Sequence, residues 1–320
     1  MKKIAILTSG GDAPGMNACI RAVTRYAIFN GLEVMGVERG YEGLVYDNFV
    51  AMNKRSVSDI IQRGGTFLKT ARCPEFAEVK FQQQAVDNLK KHNCDALIVI
   101  GGNGSIRGCY DLYKNCGFNA VGIPGTIDND LDYTDFTLGF DTAVNTVLSA
   151  INNLRDTMTS HDRVSIIEVM GRKCGDIALY AGIAGGAEII LVPEVKLNLS
   201  KVCEKLKKNQ KNGKTSDIIV LSEGVCSAEE LKAALQCEMG ISLRTTTLGH
   251  IQRGGTPSMQ DRLLAARFGV EAVDVLLAGK SSRVVGIRNN KIIEEDISEA
   301  LAKPHKFDTR LYKEANILSL

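Results

Sequence analysis

With 320 residues, 44% of them hydrophobic and 24% charged, the chain is too apolar for a disordered segment and long enough for two domains with an extensive interior. A formal net charge of +2, with the basic residues scattered, gives no electrostatic case for nucleic acid or a membrane surface as partner. The opening Met1-Lys-Lys-Ile-Ala-Ile-Leu is too short an apolar run for a signal peptide, no stretch approaches the roughly 20 residues of a membrane span, and nine cysteines with no C-x-x-C pair beside four histidines form no metal-site spacing, so we expect a cytoplasmic protein with free thiols.

Ile4 to Leu7 is a continuous apolar run of strand type, and Thr8-Ser-Gly-Gly-Asp-Ala-Pro-Gly15 separates it from a helical pattern beginning near Met16. A strand, glycine loop and helix in this order let backbone N–H groups approach phosphate oxygens, although the spacing is neither G-x-x-x-x-G-K-[ST] nor G-x-G-x-x-G. Arg21 and Arg25 fall four apart on one face of that helix, as they would on a solvated face. Leu32 to Val37 reads as a strand, Gly40 to Gly43 as a turn and Ser58 to Gly65 as a short helix ending at glycine. Gln62-Arg-Gly-Gly-Thr66 recurs as Gln252-Arg-Gly-Gly-Thr256, too short a word to establish a duplication. In Ala71-Arg-Cys-Pro74, Arg72 sits in a loop from which a guanidinium can reach a phosphate. A helical stripe of Phe81, Ala85, Val86 and Leu89 leads to Asp95-Ala-Leu-Ile-Val-Ile100, the most apolar strand of this half.

Gly101-Gly-Asn-Gly-Ser105 follows directly and opens another helix, a second backbone cradle at a strand's C-terminal end. Ala120 to Ile123 is the next buried strand, and Pro124-Gly-Thr-Ile-Asp-Asn-Asp130 comes after it. This places Asp128 and Asp130 at the sheet edge where open α/β sheets bind ligands, which suits a base and a metal-organising acid, with the Thr126 hydroxyl beside them. The same residue types also suit a polar turn. Two cradles and an acidic loop on consecutive strand ends fit phosphoryl transfer, which depends on positioning and charge stabilisation, so a nucleotide-dependent phosphotransferase is the leading reading.

The second half is α/β as well. Val144, Val147, Leu148, Ile151 and Leu154 form a helical core stripe between Asp141 and Arg155. Arg163 precedes the apolar strand Val164 to Val169, which ends in Met170-Gly-Arg-Lys-Cys-Gly175 and so carries Arg172 at its end. Glu188 to Pro193 and Ile218 to Leu221 repeat the theme, the latter ending at Glu223, with a basic amphipathic helix Ser200 to Lys208 between them. Leu243 to Gly249 is strand-like and runs into His250-Ile-Gln-Arg253; a lone histidine of this kind commonly serves as a hydrogen-bonding residue. Pro257 to Gly279 reads as a long helix, Val284 to Ile293 with Asn289-Asn290 as a late hairpin, and the tail after Pro304 as a small element packing back.

Leu7-Thr-Ser-Gly-Gly-Asp-Ala-Pro-Gly-Met-Asn17, Pro124-Gly-Thr-Ile-Asp-Asn-Asp130, Val169-Met-Gly-Arg172 and Leu248-Gly-His-Ile-Gln-Arg-Gly-Gly255 together resemble the bacterial 6-phosphofructokinase family, in the right order and across nearly the whole chain. The resemblance implies two three-layer α/β domains with mainly parallel sheets: an ATP-binding domain of residues 1–139 plus 252–304 and a fructose 6-phosphate-binding domain of 140–251 plus 305–320. It implies the glycolytic transfer of the ATP γ-phosphoryl group to the 1-hydroxyl of fructose 6-phosphate, with Mg²⁺ as cofactor. Asp128 is then the base, Thr126 steers the phosphate, Asp130 supports the metal and Arg172 holds the acidic pair. Gly11, Arg72, Cys73, Gly102, Asn103, Gly104 and Ser105 line the ATP site, with Asn103 and Asp130 toward the metal. The sugar phosphate rests on Met170, Gly171, Glu223, His250 and Arg253, while Arg163 and Arg244 come from a neighbouring subunit of a homotetramer. The 6-phosphate dianion wants several forked cations, which Arg163, Arg244 and Arg253 supply.

By the same resemblance Arg21, Arg25, Lys54, Arg55, Asp59, Arg155, Gly186, Glu188 and Lys214 match an effector site for ADP or phosphoenolpyruvate, with Asn212, Thr215 and Ser216 standing where more basic residues are often found. The chain departs from the family at Asn103, where Gly-Gly-Asp-Gly-Ser is usual. An amide oxygen can coordinate Mg²⁺ but brings no charge, and a lost charge-assisted contact of about 1–3 kcal/mol means a rate lower by roughly ten-fold to a hundred-fold. Relatives that use pyrophosphate carry an acidic residue after position 103 and a lysine before Thr126; Gly104 and Gly125 stand there, which favours ATP. The alternatives are a weakly catalytic or regulatory paralogue that binds nucleotide and sugar phosphate, for which Asn103 speaks, and a nicotinamide-dependent oxidoreductase, which lacks its fingerprint.

Overall fold

The computed structural model describes residues 1–159 and 163–319. Its strands, in chain order, are β1 (Lys3–Ser9), β2 (Glu33–Val37), β3 (Phe49–Met52), β4 (Ala96–Gly101), β5 (Ala120–Pro124), β6 (Val164–Val169), β7 (Ile189–Leu191), β8 (Asp217–Ser222), β9 (Leu243–Thr247), β10 (Arg283–Arg288) and β11 (Lys291–Asp296). The chain forms two compact units, the first of Met1–Ile127, Leu131–Thr142 and Arg253–Pro304, the second of Asp128–Asp130, Ala143–Gln252 and His305–Leu320.

The first unit holds a seven-stranded sheet in the order β11-β10-β5-β4-β1-β2-β3. Its five central strands are parallel, and β3 and β11 close the two edges antiparallel. The apolar runs of β1 and β4 are continuous because both faces are covered. Ala5, Leu7, Leu97 and Val99 pack with Val86 and Leu89 of the helix Val79–Lys91 and with Ile106 and Leu112 of the helix Asn103–Cys116. The alternate residues Ile4, Ile6, Ile98 and Ile100 are equally buried and point to the other face by the pleat. Helices Met16–Phe29 and Met259–Leu277 pack on each other in this unit. The late hairpin is present, with Asn289 and Asn290 both at positive φ, 50° and 61°, as a tight type I′ turn requires.

The second unit holds the four-stranded, all-parallel sheet β7-β8-β6-β9. Helices Leu199–Lys211 and Ala228–Met239 seal one core through Val202, Leu206, Leu231 and Leu235. The tail contributes the helix Thr309–Leu318, whose Tyr312 hydroxyl donates to the Ile190 carbonyl at 3.2 Å. The mainly parallel α/β class read from the sequence is therefore found in both units. No helix among the described residues is long and apolar enough to cross a membrane.

Two local expectations are corrected. Gly40–Val45 is a short helix rather than a turn: Leu44 and Val45 are buried, and a Cβ at Gly43 would lie 1.8 Å from the Glu38 carbonyl, so glycine there is what admits the tight packing. Ser58 to Gly65 is a series of turns rather than a helix. Asp59 adopts a left-handed φ of 53° at the second residue of that segment, a backbone that a right-handed helix cannot contain.

Candidate active site

The first glycine loop leaves the C-terminal end of β1, with Gly10 and Gly15 at φ 85° and 103°, a backbone that β-carbon-bearing residues adopt only under strain. Asn17, at the start of the following helix, clamps the neighbouring 63–67 segment: its amide donates to the carbonyls of Arg63 and Gly64 and its oxygen accepts from Phe67 N at 2.8 Å. The Arg253 guanidinium lies against the bare backbone of Gly11, where a Cβ would fall 1.8 Å from Nη1. The two Gln-Arg-Gly-Gly-Thr words also meet, since a Cβ at Gly64 would lie 2.2 Å from the Gly255 carbonyl oxygen. Beside this loop Asp12, Asn17, Arg63, Lys69 and Thr70 line a cavity of about 440 Å³.

The second cradle follows β4: Gly102 caps the helix that starts at Asn103, and Asn103 and Gly104 are exposed while Ser105 is buried. A Cβ on Gly102 would sit 3.5 Å from the Thr126 Cβ, which brings the acidic loop's hydroxyl next to this cradle. Arg72 is exposed on its loop, and Cys73 caps the short 3₁₀ turn Pro74–Ala77, its thiol pushed up by burial.

In the second unit Asp128 is 2% exposed, and a carboxylate so buried needs a cation or donors near it. Arg172 Nε stands 3.4 Å from Asp128 Oδ2. The guanidinium is aimed by an unusual backbone: Gly171 at φ 134° and Arg172 at φ 54° turn the chain sharply after β6, and Arg172 N donates to Glu223 Oε1 at 3.0 Å. Met170 N is held at 3.2 Å by Oε1 of the fully buried Gln252. Met170, Gly171, Arg172, Glu223 and His250 thus all lie at or just beyond the C-terminal ends of β6, β8 and β9.

Asn129 carries a left-handed φ of 55° between the two acids, a conformation asparagine tolerates well. Its amide donates to Asp176 Oδ2 at 2.9 Å. Burial raises the Asp176 carboxyl, the Asn129 hydrogen bond opposing it, and burial with Asp176 nearby raises the Cys174 thiol. Asp130 Oδ1 is buried with no hydrogen-bond partner among the described residues. An orphaned hard oxygen of this kind is a donor that suits Mg²⁺.

Not every expected residue joins this group. Arg163 and Arg244 sit at the N-terminal ends of β6 and β9, where Ser165 pairs with Arg244. That is the opposite sheet edge from Arg172 and His250, roughly 20 Å away at about 3.3 Å per strand residue. The effector set falls into two parts. Glu188, buried, receives Lys214 Nζ at 2.7 Å and Arg155 Nη1 at 3.5 Å on Oε1 and Ile218 N on Oε2, and Arg155 also donates to the Gly186 carbonyl at 2.7 Å. Arg21 and Arg25 are on the helix Met16–Phe29, and Lys54, Arg55 and Asp59 on the turns after β3, all in the first unit. Among the described residues no salt bridge joins those four cations to a carboxylate.

Sequence reasoning missed Asn17, Asn129, Asp176 and Gln252. For Asn129 a signal existed, an asparagine between two acids after Pro-Gly; for the others the partners are distant in sequence.

The family model described as Phosphofructokinase matches residues 3–276. The chain is 60% identical over 320 residues to an ATP-dependent 6-phosphofructokinase of Clostridium botulinum (strain Alaska E43 / Type E3), covering 100% of both chains. It is 58% identical to one of Clostridioides difficile (strain 630), again over 100% of both. Among solved structures it superposes on phosphofructokinase from Saccharomyces cerevisiae with a TM-score of 0.90 at 34% identity, covering 100% of this chain and 48% of that one. A pyrophosphate-dependent phosphofructokinase from Marinobacter aquaeolei shares the fold, with a TM-score of 0.87 at 23% identity over 97% of this chain and 86% of that one. With two glycine cradles, an acidic loop and full-length relatives all agreeing, the chain belongs to the phosphofructokinase family.

Proposed function

We propose that this chain is an ATP-dependent 6-phosphofructokinase, transferring the γ-phosphoryl group of ATP to the 1-hydroxyl of fructose 6-phosphate to give fructose 1,6-bisphosphate and ADP. The observation that carries the reading is the buried Asp128 carboxylate at the end of β5 with Arg172 Nε 3.4 Å away, in a chain alike over its full length to relatives of that name.

Asp128 takes the proton of the sugar's 1-hydroxyl as its oxygen forms the new bond to the γ-phosphorus and the bond to the β–γ bridging oxygen breaks. Arg172 orients that carboxylate. The Thr126 hydroxyl and the Arg72 guanidinium hold the phosphate in transfer, while the loops at Gly11 and Gly102 to Ser105 offer backbone N–H groups to the nucleotide. Asp130 and Asn103 would hold Mg²⁺, whose charge would offset that of the phosphate oxygens. Met170, Gly171, Glu223, His250 and Arg253 bind the sugar phosphate.

ATP rather than pyrophosphate is favoured at two glycines. A Cβ at Gly104 would meet nothing within 4 Å, so packing does not demand glycine there and the space is free for a nucleotide. A Cβ at Gly125 would lie 2.9 Å from the Ile100 side chain, which leaves no room for a lysine without repacking.

Arg163 and Arg244 serve the sugar site of a neighbouring copy, because their own sheet carries the sugar-binding strand ends at its far edge; the assembly is a homotetramer. Arg155, Gly186, Glu188 and Lys214, together with Arg21, Arg25, Lys54, Arg55 and Asp59, take ADP or phosphoenolpyruvate as effector.

Steady-state phosphorylation of fructose 6-phosphate by the purified chain, with Mg·ATP in one arm and pyrophosphate in the other, tests the reading. Magnesium-dependent turnover with ATP that vanishes in Asp128→Ser is the expected result. Retained binding of ATP and sugar phosphate without turnover from either donor would establish the regulatory paralogue instead, the reading Asn103 favours.

A further inference from the structure

Three stretches far apart in sequence bring unlike ligand atoms together in the second unit. His305 Nε2, at the start of the tail, stands 3.4 Å from the Cys174 sulfur, 3.9 Å from Glu194 Oε1 and 3.8 Å from Asp176 Oδ1. One sulfur, one imidazole nitrogen and one carboxylate oxygen, from Cys174, His305 and Glu194, lie within 4.8 Å of one another.

Thiolate, imidazole and carboxylate together are the donor set of zinc, which accepts three protein ligands in a tetrahedral site and leaves the fourth position to water. The charges also fit, since a thiolate and a carboxylate neutralise a dication around a neutral imidazole. Glu194 is already held from outside the cluster, its Oε1 accepting Gly175 N at 2.8 Å, an anchor of the kind that orients metal ligands. The Cys174 side is closed and the other side is open: the side chains of His305 and Glu194 are 23% and 17% exposed, which gives an ion a way in.

A path leads from the cluster to the acidic loop. Asp176 faces His305 through one oxygen and accepts the Asn129 amide through the other, and Asn129 stands between Asp128 and Asp130. A cation bound at His305 draws the Asp176 carboxylate toward itself and so pulls on the residue that spaces the two acids.

We propose that Cys174, Glu194 and His305 form a binding site for a thiophilic divalent cation of the zinc class, and that filling it slows phosphoryl transfer through Asp176 and Asn129. On binding, the Cys174 S–H proton passes to water and a sulfur–metal bond forms; no electrons are transferred. The second half of the proposal rests on the kinase reading above, whereas the first does not.

The test uses the full chain freed of metal by chelation. Titration with Co²⁺ is expected to give a thiolate-to-cobalt charge-transfer absorption that saturates at one equivalent and is displaced by Zn²⁺. The band disappears in Cys174→Ala and His305→Ala, weakens in the solvent-facing Glu194→Gln, and persists in Cys237→Ala, which controls for the exposed thiol. Thermal unfolding of each variant separates loss of the site from loss of the fold. At fixed Mg·ATP, Zn²⁺ is expected to lower turnover at least tenfold in the parent chain and to leave Cys174→Ala unaffected. No cobalt–thiolate band in the folded parent overturns the site. A band without slowing, or slowing that persists in Cys174→Ala, overturns the coupling and points to competition with Mg²⁺. A chain inactive even without zinc overturns the kinase reading and leaves the cobalt result standing.

Discussion

Strands β6 and β9 lie side by side in register, yet their two ends carry different chemistry. At the C-terminal end the chain meets its own needs: Gln252 holds Met170, Glu223 holds Arg172, and Arg172 faces Asp128. At the N-terminal end Arg163 and Arg244 project with no salt bridge among the described residues. Groups tied down within one chain are placed for chemistry on arrival of substrate, whereas cations left at an edge are placed for a phosphate presented by something else. Under the proposed function, this contrast is what would divide one substrate's recognition between two copies of the chain.

The largest effect should come from the tied end. Asp128→Ser is expected to lower kcat by about 10²–10⁴, the range of a lost general base, with the KM for fructose 6-phosphate little moved; steady-state kinetics that retain more than a tenth of parental kcat would break the assignment. At the other end, Arg163→Ala or Arg244→Ala removes a charge-assisted contact of about 1.5–3 kcal/mol and should raise the KM for fructose 6-phosphate roughly ten-fold to a hundred-fold, moving kcat less. The comparison sharpens further in mixtures: subunits with Asp128→Ser refolded together with subunits carrying Arg163→Ala and Arg244→Ala should recover part of the activity neither has alone. No recovery in hybrids of verified composition would show that the two ends do not serve one site.

Asn103→Asp is expected to raise kcat about tenfold, toward a hundredfold at low Mg²⁺, by returning a carboxylate to the metal's donor set; an unchanged magnesium dependence would count against Asn103 as a ligand.

The last effect is on stability, not on turnover, and comes from the first unit. Asp261 accepts Gly139 N, Thr142 N and the Thr142 hydroxyl, but burial outweighs these bonds and its carboxyl is pushed up to about 6 from 3.8. The folded chain then holds this proton more tightly than the unfolded chain, so the contribution is fully present below about pH 4 and is lost as pH rises through about 6. The gap corresponds to roughly 3 kcal/mol. Urea unfolding across that window should show the parent losing stability with rising pH relative to Asp261→Asn; parallel profiles would refute it.

Much of this was legible locally. The strands announced themselves because both faces of the central sheet are buried, so Ile4 to Leu7 and Ala96 to Ile100 are apolar without alternation. The acidic loop and the place of Arg172 at a strand end were legible for a different reason: each follows its strand within a few residues, so strand and loop chemistry are read together. What stayed hidden depends on partners brought in by the fold. Gln252 reaches Met170 from 82 residues away, and Asn129 reaches Asp176 from 47. Cys174, Glu194 and His305 have no common spacing, and only the fold brings them together. The misread segments failed locally instead: glycine at 40 and 43 reads as a turn until Leu44 and Val45 are seen to be buried, and Asp59 in a left-handed conformation has no sequence signature of its own.

The pairing of β5 with β10 has a bearing on biosynthesis. Val121 waits for Arg283, so 162 residues must be made before the strand beside the Asp128 loop gains its outer neighbour. At about 5–20 residues per second that edge stays open for about 8–30 s on the ribosome. An unpaired apolar strand edge is a template for joining other chains, so slow or truncated translation ending before β10 should shed its product into aggregates rather than into a smaller folded domain.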